Sequence, residues 1–186
     1  MNGDMSTTAG SLTTAEELER LSIPGKRIEL VHGQLIVKDP PSGWHGRVAA
    51  KLTTRVSVHV EKYALGEVLQ DSGFRIRSHP DTVRGPDVAF VAADRVHLIG
   101  RKGFPGFAPD LVAEVRSPED RPGEVLAKVA DWIDTGTKLV WVIDPTRLEA
   151  HVYRADGSQS HVAREGALDG EDVLPGFTCL LREILE

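Results

Sequence analysis

Asp110-Leu111-Val112-Ala113-Glu114-Val115-Arg116, the turn Ser117-Pro118-Glu119-Asp120-Arg121-Pro122 and, further on, Lys138-Leu139-Val140-Trp141-Val142-Ile143-Asp144-Pro145 decide the fold of this chain. Both apolar runs are short, rich in β-branched residues and bounded by Gly or Pro, which is the pattern of largely buried strands. Between them, residues 123–135 read as a helix with Pro122 near its start and Gly136 at its C-cap. Strand–helix–strand is a βαβ unit, so the two strands are predicted to run parallel.

Glu114 is out of place in such a run, because a buried carboxylate is costly unless it is paired, hydrogen-bonded or bound to a metal. A second one, Asp87, opens the comparable run Pro86-Asp87-Val88-Ala89-Phe90-Val91. Strand side chains alternate faces. Asp110, Val112, Glu114 and Arg116 therefore share one face, and Asp87, Ala89 and Val91 share one face of their own strand. If the strands are neighbours in register, Asp87 and Glu114 converge on one ion. Hard cations such as Mg²⁺ take one or two protein carboxylates together with waters and phosphate oxygens. Such an ion activates water and stabilises charge on a phosphoryl group. Arg116 and Lys128 supply nearby positive charge.

Outward from these strands, residues 1–11 read as a disordered leader. Thr14 with Glu17 forms a capping-box pattern at the start of a short helix. Ile28–Val31 and Gln34–Val37 flank His32-Gly33 as a β-hairpin. Ser42 caps a long helix to about Tyr63, with Val48, Leu52, Val56 and Val60 as its apolar stripe and Arg47, Lys51 and Arg55 as a basic row beside it. Residues 68–69 and 74–77 are further strands, and a Gly/Pro/Phe loop spans 100–109. Strands at 148–153 and 160–164 and a helix at 180–185 close the chain, giving one domain over residues 12–186 with no internal repeat.

Composition narrows the classes. The net charge is −6, from 28 acidic and 22 basic residues, which weighs mildly against nucleic acid as a partner. A metal-binding carboxylate cluster itself adds negative charge, so the objection is not decisive. No apolar stretch approaches the roughly 18–20 residues of a membrane span. The N-terminus lacks a basic n-region and an apolar h-region, which makes a cytoplasmic location the default. The single cysteine, Cys179, excludes an internal disulfide and a Cys-based zinc site. No histidine pair has helical zinc spacing, and neither a Gly-rich phosphate loop nor a nucleophile elbow is present.

Each candidate has a plainer alternative. Asp87 follows Gly85-Pro86 and suits a turn. Glu114 suits a buried pair with Arg116. Lys128 lies four residues after Glu124, an ordinary helix pair, although its place at the edge of the apolar face also lets it reach a pocket beyond the strand ends. Glu29 suits a solvated pair with Arg27. His45, in the first turn of the long helix, suits a packed, hydrogen-bonded residue. The basic row suits a solvated helix face, the alternative being a track for a phosphate backbone.

Pro86-Asp87, followed 27 residues later (114 − 87) by Glu114-Val115-Arg116, resembles the PD-(D/E)XK nuclease signature, with Arg116 at the position of its lysine. The chain more specifically resembles the Uma-two family of restriction-endonuclease-like proteins. The matching segments are Arg27–Leu35, Pro41–His45, Gly85–Val88, Pro109–Pro118, Lys128 and Trp141–Pro145. Each is weak alone; their order and spacing are specific together. The resemblance implies a restriction-endonuclease-like α/β fold and a metal-dependent nuclease site. Asp87 and Glu114 would be the metal ligands, Glu29 would support the metal or its water, and Lys128 would be the family's lysine, moved from the strand to the following helix. Arg116 departs from the pattern, since an arginine stays protonated and cannot act as a base.

The reading is therefore an α/β protein with a restriction-endonuclease-like mixed central β-sheet flanked by α-helices. The expected function is a Mg²⁺- or Mn²⁺-dependent DNA endonuclease with Glu29, Asp87, Glu114 and Lys128 at its site, and with Arg116 and His45 as further contributors. A duplex cutter with one site per chain is expected to be a homodimer. The rivals are a catalytically weak DNA- or protein-binding module that keeps the fold, and a hydrolase of small phosphoesters.

Overall fold

Local sequence signals account for most element boundaries. The structure, a computed structural model, describes residues 12–186, so the expected leader lies outside the described residues. Helix α1 (Ala15–Arg20) starts at a full capping box between Thr14 and Glu17. Strands β1 (Arg27–Val31) and β2 (Gln34–Lys38) form the hairpin. Positive φ at His32 (49°) and Gly33 (75°) gives its two-residue turn the twist that matches the strands. Helix α2 (Gly43–Tyr63) is capped by Ser42, whose side chain accepts from the His45 N–H, and it buries the expected stripe. Then come β3 (Gly66–Gln70), β4 (Phe74–Arg77), β5 (Thr82–Arg84) and β6 (Val88–Ala92), with a 3₁₀ turn over Ala93–Leu98.

The βαβ unit is β7 (Leu111–Val115), α3 (Pro122–Asp134) and β8 (Leu139–Asp144). Its strands pair in parallel, Leu111 with Leu139 through Val115 with Ile143. β9 (Glu149–Arg154), β10 (Gln159–Val162), β11 (Ala167–Asp169), β12 (Thr178–Leu180) and α4 (Leu181–Leu185) complete the described chain.

The central sheet is mixed and six-stranded, in the order β10-β9-β8-β7-β6-β3. Alternation splits its side chains between two cores. Val88, Phe90, Ala113, Val115, Trp141 and Ile143 pack on one face with the α2 stripe and α4. Ala89, Val91, Val112, Val140 and Val142 pack on the other with Val129 and Trp132 of α3. The expected hairpin does not join this sheet. β1 and β2 combine with β4 and β5 in a separate antiparallel sheet, in the order β2-β1-β5-β4. Single-strand periodicity identifies strands but not their partners, which is why this second sheet was not foreseen. It fixes the site, because β5 runs through Gly85-Pro86-Asp87 straight into β6. Among the described residues, no helix is long and apolar enough to cross a membrane.

Candidate active site

The site forms where the two sheets and α3 meet. β6 and β7 pair antiparallel with Val88 opposite Ala113 and Ala89 opposite Val112. Carrying that register one residue further sets Asp87 opposite Glu114, the convergence expected from the sequence. Asp87 stands just before β6, so both the turn reading and the cluster reading describe it. Its Oδ2 accepts the Val115 N–H at 2.7 Å and lies 3.1 Å from His45 Nε2. Its Oδ1 accepts from both terminal nitrogens of Arg27, at 3.2 and 3.3 Å. Arg27 also pairs with Asp71.

Glu114 pairs with α3 rather than with Arg116. Lys128 Nζ donates to its Oε2 at 2.9 Å, and Trp132 Nε1 donates to its Oε1 at 2.9 Å. Lys128 and Trp132 are four apart on α3 and so share one helix face. Lys128 further donates to the Gly85 carbonyl at 3.0 Å and pairs with Glu29 Oε1 at 3.0 Å. Glu29 is thus a second anchor of the ammonium group rather than a partner of Arg27. Its remaining contacts are the Gly85 N–H on Oε1 at 3.0 Å and Arg84 Nη1 on Oε2 at 2.9 Å. Arg84 in turn grips Asp131 Oδ2 through Nε at 2.9 Å and Nη2 at 2.6 Å.

Sequence reasoning missed Arg84, Trp132, Asp131 and Arg27 as members of the network. The one sequence signal for any of them is that Arg84 directly precedes Gly85-Pro86-Asp87; that it lies in a strand whose residues are all buried shows only in the structure.

The carboxyls titrate apart. Burial pushes Glu114 up, and the neighbouring Asp87 and Glu29 carboxylates add to this, so that despite Lys128 it is raised to about 7. Burial also opposes the ionised form of Glu29, but Lys128, Arg84 and the Gly85 N–H outweigh it and hold Glu29 down at about 2. Asp87 is likewise lowered against its burial, chiefly by the His45 hydrogen bond and charge. His45 is raised: its burial favours the neutral ring, and Asp87 overcomes that. Lys128 is raised against its burial by Glu114 and Glu29, so it stays an ammonium at neutral pH.

These groups line an open cavity of about 990 Å³ that also reaches Lys38, Asp120 and Phe104. A hard divalent cation fits the donor set. Each oxygen of Glu114 accepts from one donor and keeps a second lone pair. Burial is the first cause of the upward shift of Glu114, with the Asp87 and Glu29 carboxylates adding to it, and a bound cation would offset both. The Lys128 ammonium lies between Glu29 and Glu114. Asp87 differs from Glu114: each of its oxygens already accepts two donors, so a cation bridging Asp87 and Glu114 would take the place of one of the donors on Asp87. Waters and substrate oxygens would complete the coordination that Mg²⁺ or Mn²⁺ prefers.

Two expected contributors stand apart from the cavity. Arg116 donates to Asp144 Oδ2 at 2.7 Å and to the Asp120 carbonyl at 3.1 Å, and it is not among the residues lining the cavity. β7 ends at Val115, and the Asp144 carboxylate at the end of β8 draws the guanidinium sideways. The basic row grips α4: Arg47 donates to the Glu186 carbonyl, Lys51 to the Glu183 carbonyl at 3.3 Å, and Arg55 pairs with the Glu183 carboxylate at 2.9 Å. At 100° per residue, the row lies roughly 200–280° around α2 from His45, so it points away from the cavity that His45 lines. His45 is buried, as its packed reading expects, and its partner there is a site carboxylate.

A family model described as "Uma2: Putative restriction endonuclease" matches residues 15–182. Among solved structures, the chain is similar to one described as a "putative nuclease belonging to DUF820 from Anabaena variabilis ATCC 29413", with a TM-score of 0.79, 18% identity and coverage of 92% of this chain and 97% of that one. At that identity the likeness speaks for the fold, including the mixed central sheet with its flanking helices. No curated protein matches.

Proposed function

The chain belongs to the Uma2 family, described as "Putative restriction endonuclease", and from that premise we propose that it is a Mg²⁺- or Mn²⁺-dependent DNA endonuclease hydrolysing phosphodiester bonds in the cavity beside Asp87 and Glu114. The observation that carries this reading is the pair itself: two carboxylates set opposite each other by strand register, one held ionised and the other pushed up to about 7. When bound, the ion would activate water and offset charge on the scissile phosphate. Asp87 and Glu114 would hold it. Lys128, protonated and with its three N–H donors taken by Glu29, Glu114 and the Gly85 carbonyl, would stabilise the phosphate through its charge, or orient the attacking water by exchanging one of these partners for it; it is too basic to take a proton. Glu29 and Arg84 position that lysine. His45 and Arg27 hold the Asp87 carboxylate in place.

Arg116 and the acidic net charge are the motives for a module that binds without cutting, and the first of them concerns the missing strand lysine. Lys128 meets that objection from the helix side by touching Glu114 directly. The test is cleavage of supercoiled plasmid in Mg²⁺ and in Mn²⁺ by the parent protein, Asp87→Asn and Glu114→Gln. Metal-dependent cutting that both variants lose supports the proposal; nicking alone would fit a monomer, and linearisation a homodimer, with sedimentation reporting the state. Equal cutting by parent and variants would overturn the site. DNA binding without turnover, in either metal, would favour the binding module, and turnover of nucleotides but not of plasmid would favour the small-phosphoester hydrolase.

A further inference from the structure

A second cluster of ligating side chains lies on the outer edge of the central sheet, away from the cavity. β9 and β10 pair antiparallel, with His151 directly opposite His161. Glu149 precedes His151 by two residues and so projects from the same face of β9. The three meet in space: His161 Nε2 is 2.9 Å from Glu149 Oε2, His151 Nε2 is 3.7 Å from Glu149 Oε1, and the two rings have centroids 5.3 Å apart. Among the described residues, this is the group of three His, Cys, Asp or Glu side chains whose ligand atoms all lie within 4.8 Å of one another.

We propose that Glu149, His151 and His161 form a zinc-class metal site. Tetrahedral zinc with ligand bonds of about 2.0–2.1 Å sets neighbouring ligand atoms roughly 3.4 Å apart. The contacts of 2.9 and 3.7 Å run to the two different oxygens of Glu149, and one ligand atom from each residue lies within 4.8 Å of the other two, so side-chain rotation would have to draw the three in to that spacing. Two imidazoles and one carboxylate suit a borderline cation such as Zn²⁺, whereas Mg²⁺ prefers an all-oxygen shell. Three protein ligands leave a fourth position for water or an anionic oxygen, and the exposure of His151 (41%) and His161 (49%) keeps that position open to solvent. Arg147 approaches Glu149 at 3.8 Å, but it is mostly exposed and has Asp144 as an alternative partner at 4.0 Å.

The site is separate from the acidic cavity. Strand register runs Glu114–Val142–His151–His161 in one row across the sheet. Three strand spacings put the two sites about 14 Å apart. A bound ion would tie β10, an edge strand held only by β9, to the rest of the sheet.

The experiment is equilibrium dialysis of the full chain against Zn²⁺ with Mg²⁺ in excess to fill the acidic cavity. It compares the parent with His151→Gln, His161→Gln and the control His97→Gln, each checked for retained fold by circular dichroism. The parent and the control should retain one equivalent of Zn²⁺, and each of the two site variants should bind it roughly tenfold or more weakly. Co²⁺ in place of Zn²⁺ should give the intense visible bands of a four-coordinate site in the parent and lose them in His161→Gln. Equal Zn²⁺ affinity in the parent and both site variants, or no uptake by the parent, would overturn the proposal. Neither readout depends on nuclease activity, so it can fail independently of the endonuclease reading.

Discussion

Glu29 and Glu114 hold the same lysine yet titrate in opposite directions. Glu29 has Arg84 and a backbone N–H besides Lys128, while Glu114 has only Lys128 and a neutral indole N–H, and it faces two other carboxylates. Stability rises with pH where the unfolded chain binds more protons than the folded one, and falls where it binds fewer. Glu29, lowered from 4.5 to about 2, stabilises the fold above pH 4.5 and loses that contribution as pH falls towards 2. Glu114, raised from 4.5 to about 7, retains a proton in the fold that the unfolded chain has released, so its contribution declines between pH 4.5 and 7 and is level above. In metal-free urea titrations, the parent should therefore lose stability relative to Glu114→Gln across that interval, and saturating Mg²⁺ should remove the difference. Because metal must displace the Glu114 proton, apparent Mn²⁺ affinity should climb with pH, by up to about tenfold per unit, until about pH 7 and then level off. Parallel stability curves for parent and variant would show that the Glu114 carboxyl is not raised, and a Mn²⁺ affinity flat across this range would remove Glu114 from the ligand set.

Helix α3 turns this chemistry into architecture, because Lys128 and Trp132 reach Glu114 from one face while Asp131 holds Arg84. Trp132→Phe keeps most of the buried ring but leaves Glu114 Oε1 without its donor. We expect a loss of about 1–3 kcal/mol in urea unfolding and an upward shift of the pH at which metal binding levels off; an unchanged midpoint would mean that the indole N–H does not tune the carboxylate. The β1–β2 hairpin carries Glu29, and its turn depends on Gly33 at φ 75°, where an added Cβ would also come within 2.7 Å of Leu12. Gly33→Ala should cost about 1–2 kcal/mol for the left-handed backbone alone, measured in the same way. What the sequence made legible follows the same division. The capping box at Thr14, the hairpin, the α2 stripe and the parallel βαβ pair are written in local spacing, and so is the face that Glu114 shares with Val112. Pairing between distant segments leaves no such trace. The second sheet, the reach of Arg84 to Glu29 across 55 residues and the meeting of His151 with His161 across a hairpin depend on register that periodicity does not encode. Helical zinc spacing does not describe this histidine pair, which lies across two strands.

At the scale of the whole molecule, the proposed endonuclease function would bring an acidic chain of net charge −6 to a polyanion, so the location of its basic groups would decide how DNA lies. Two faces compete. One is the cavity, lined by Arg27, Lys38 and Lys128 among its carboxylates, with Lys38, paired with Asp120, the most exposed of the three. The other is the row Arg47, Lys51 and Arg55, which turns away from His45 and holds α4 through Glu183 and Glu186. If the row tracked a phosphate backbone, each lost contact would flatten the salt dependence of binding by about 0.9 in log–log slope, or roughly 2.7 for three. If its work is to hold α4, then Arg47→Glu, Lys51→Glu and Arg55→Glu together should lower stability by repelling Glu183 and should leave the salt slope as it was. The contacts to α4 lead us to expect the second outcome, with Lys38→Glu in the cavity as the change that flattens the slope by about 1. DNA-binding isotherms at several salt concentrations, with urea unfolding of the same variants, separate the two. A fall of about 2.7 in the slope for a triple variant of unaltered stability would move the DNA path onto the α2 face, and would require a phosphate backbone to bend from there to Asp87 and Glu114.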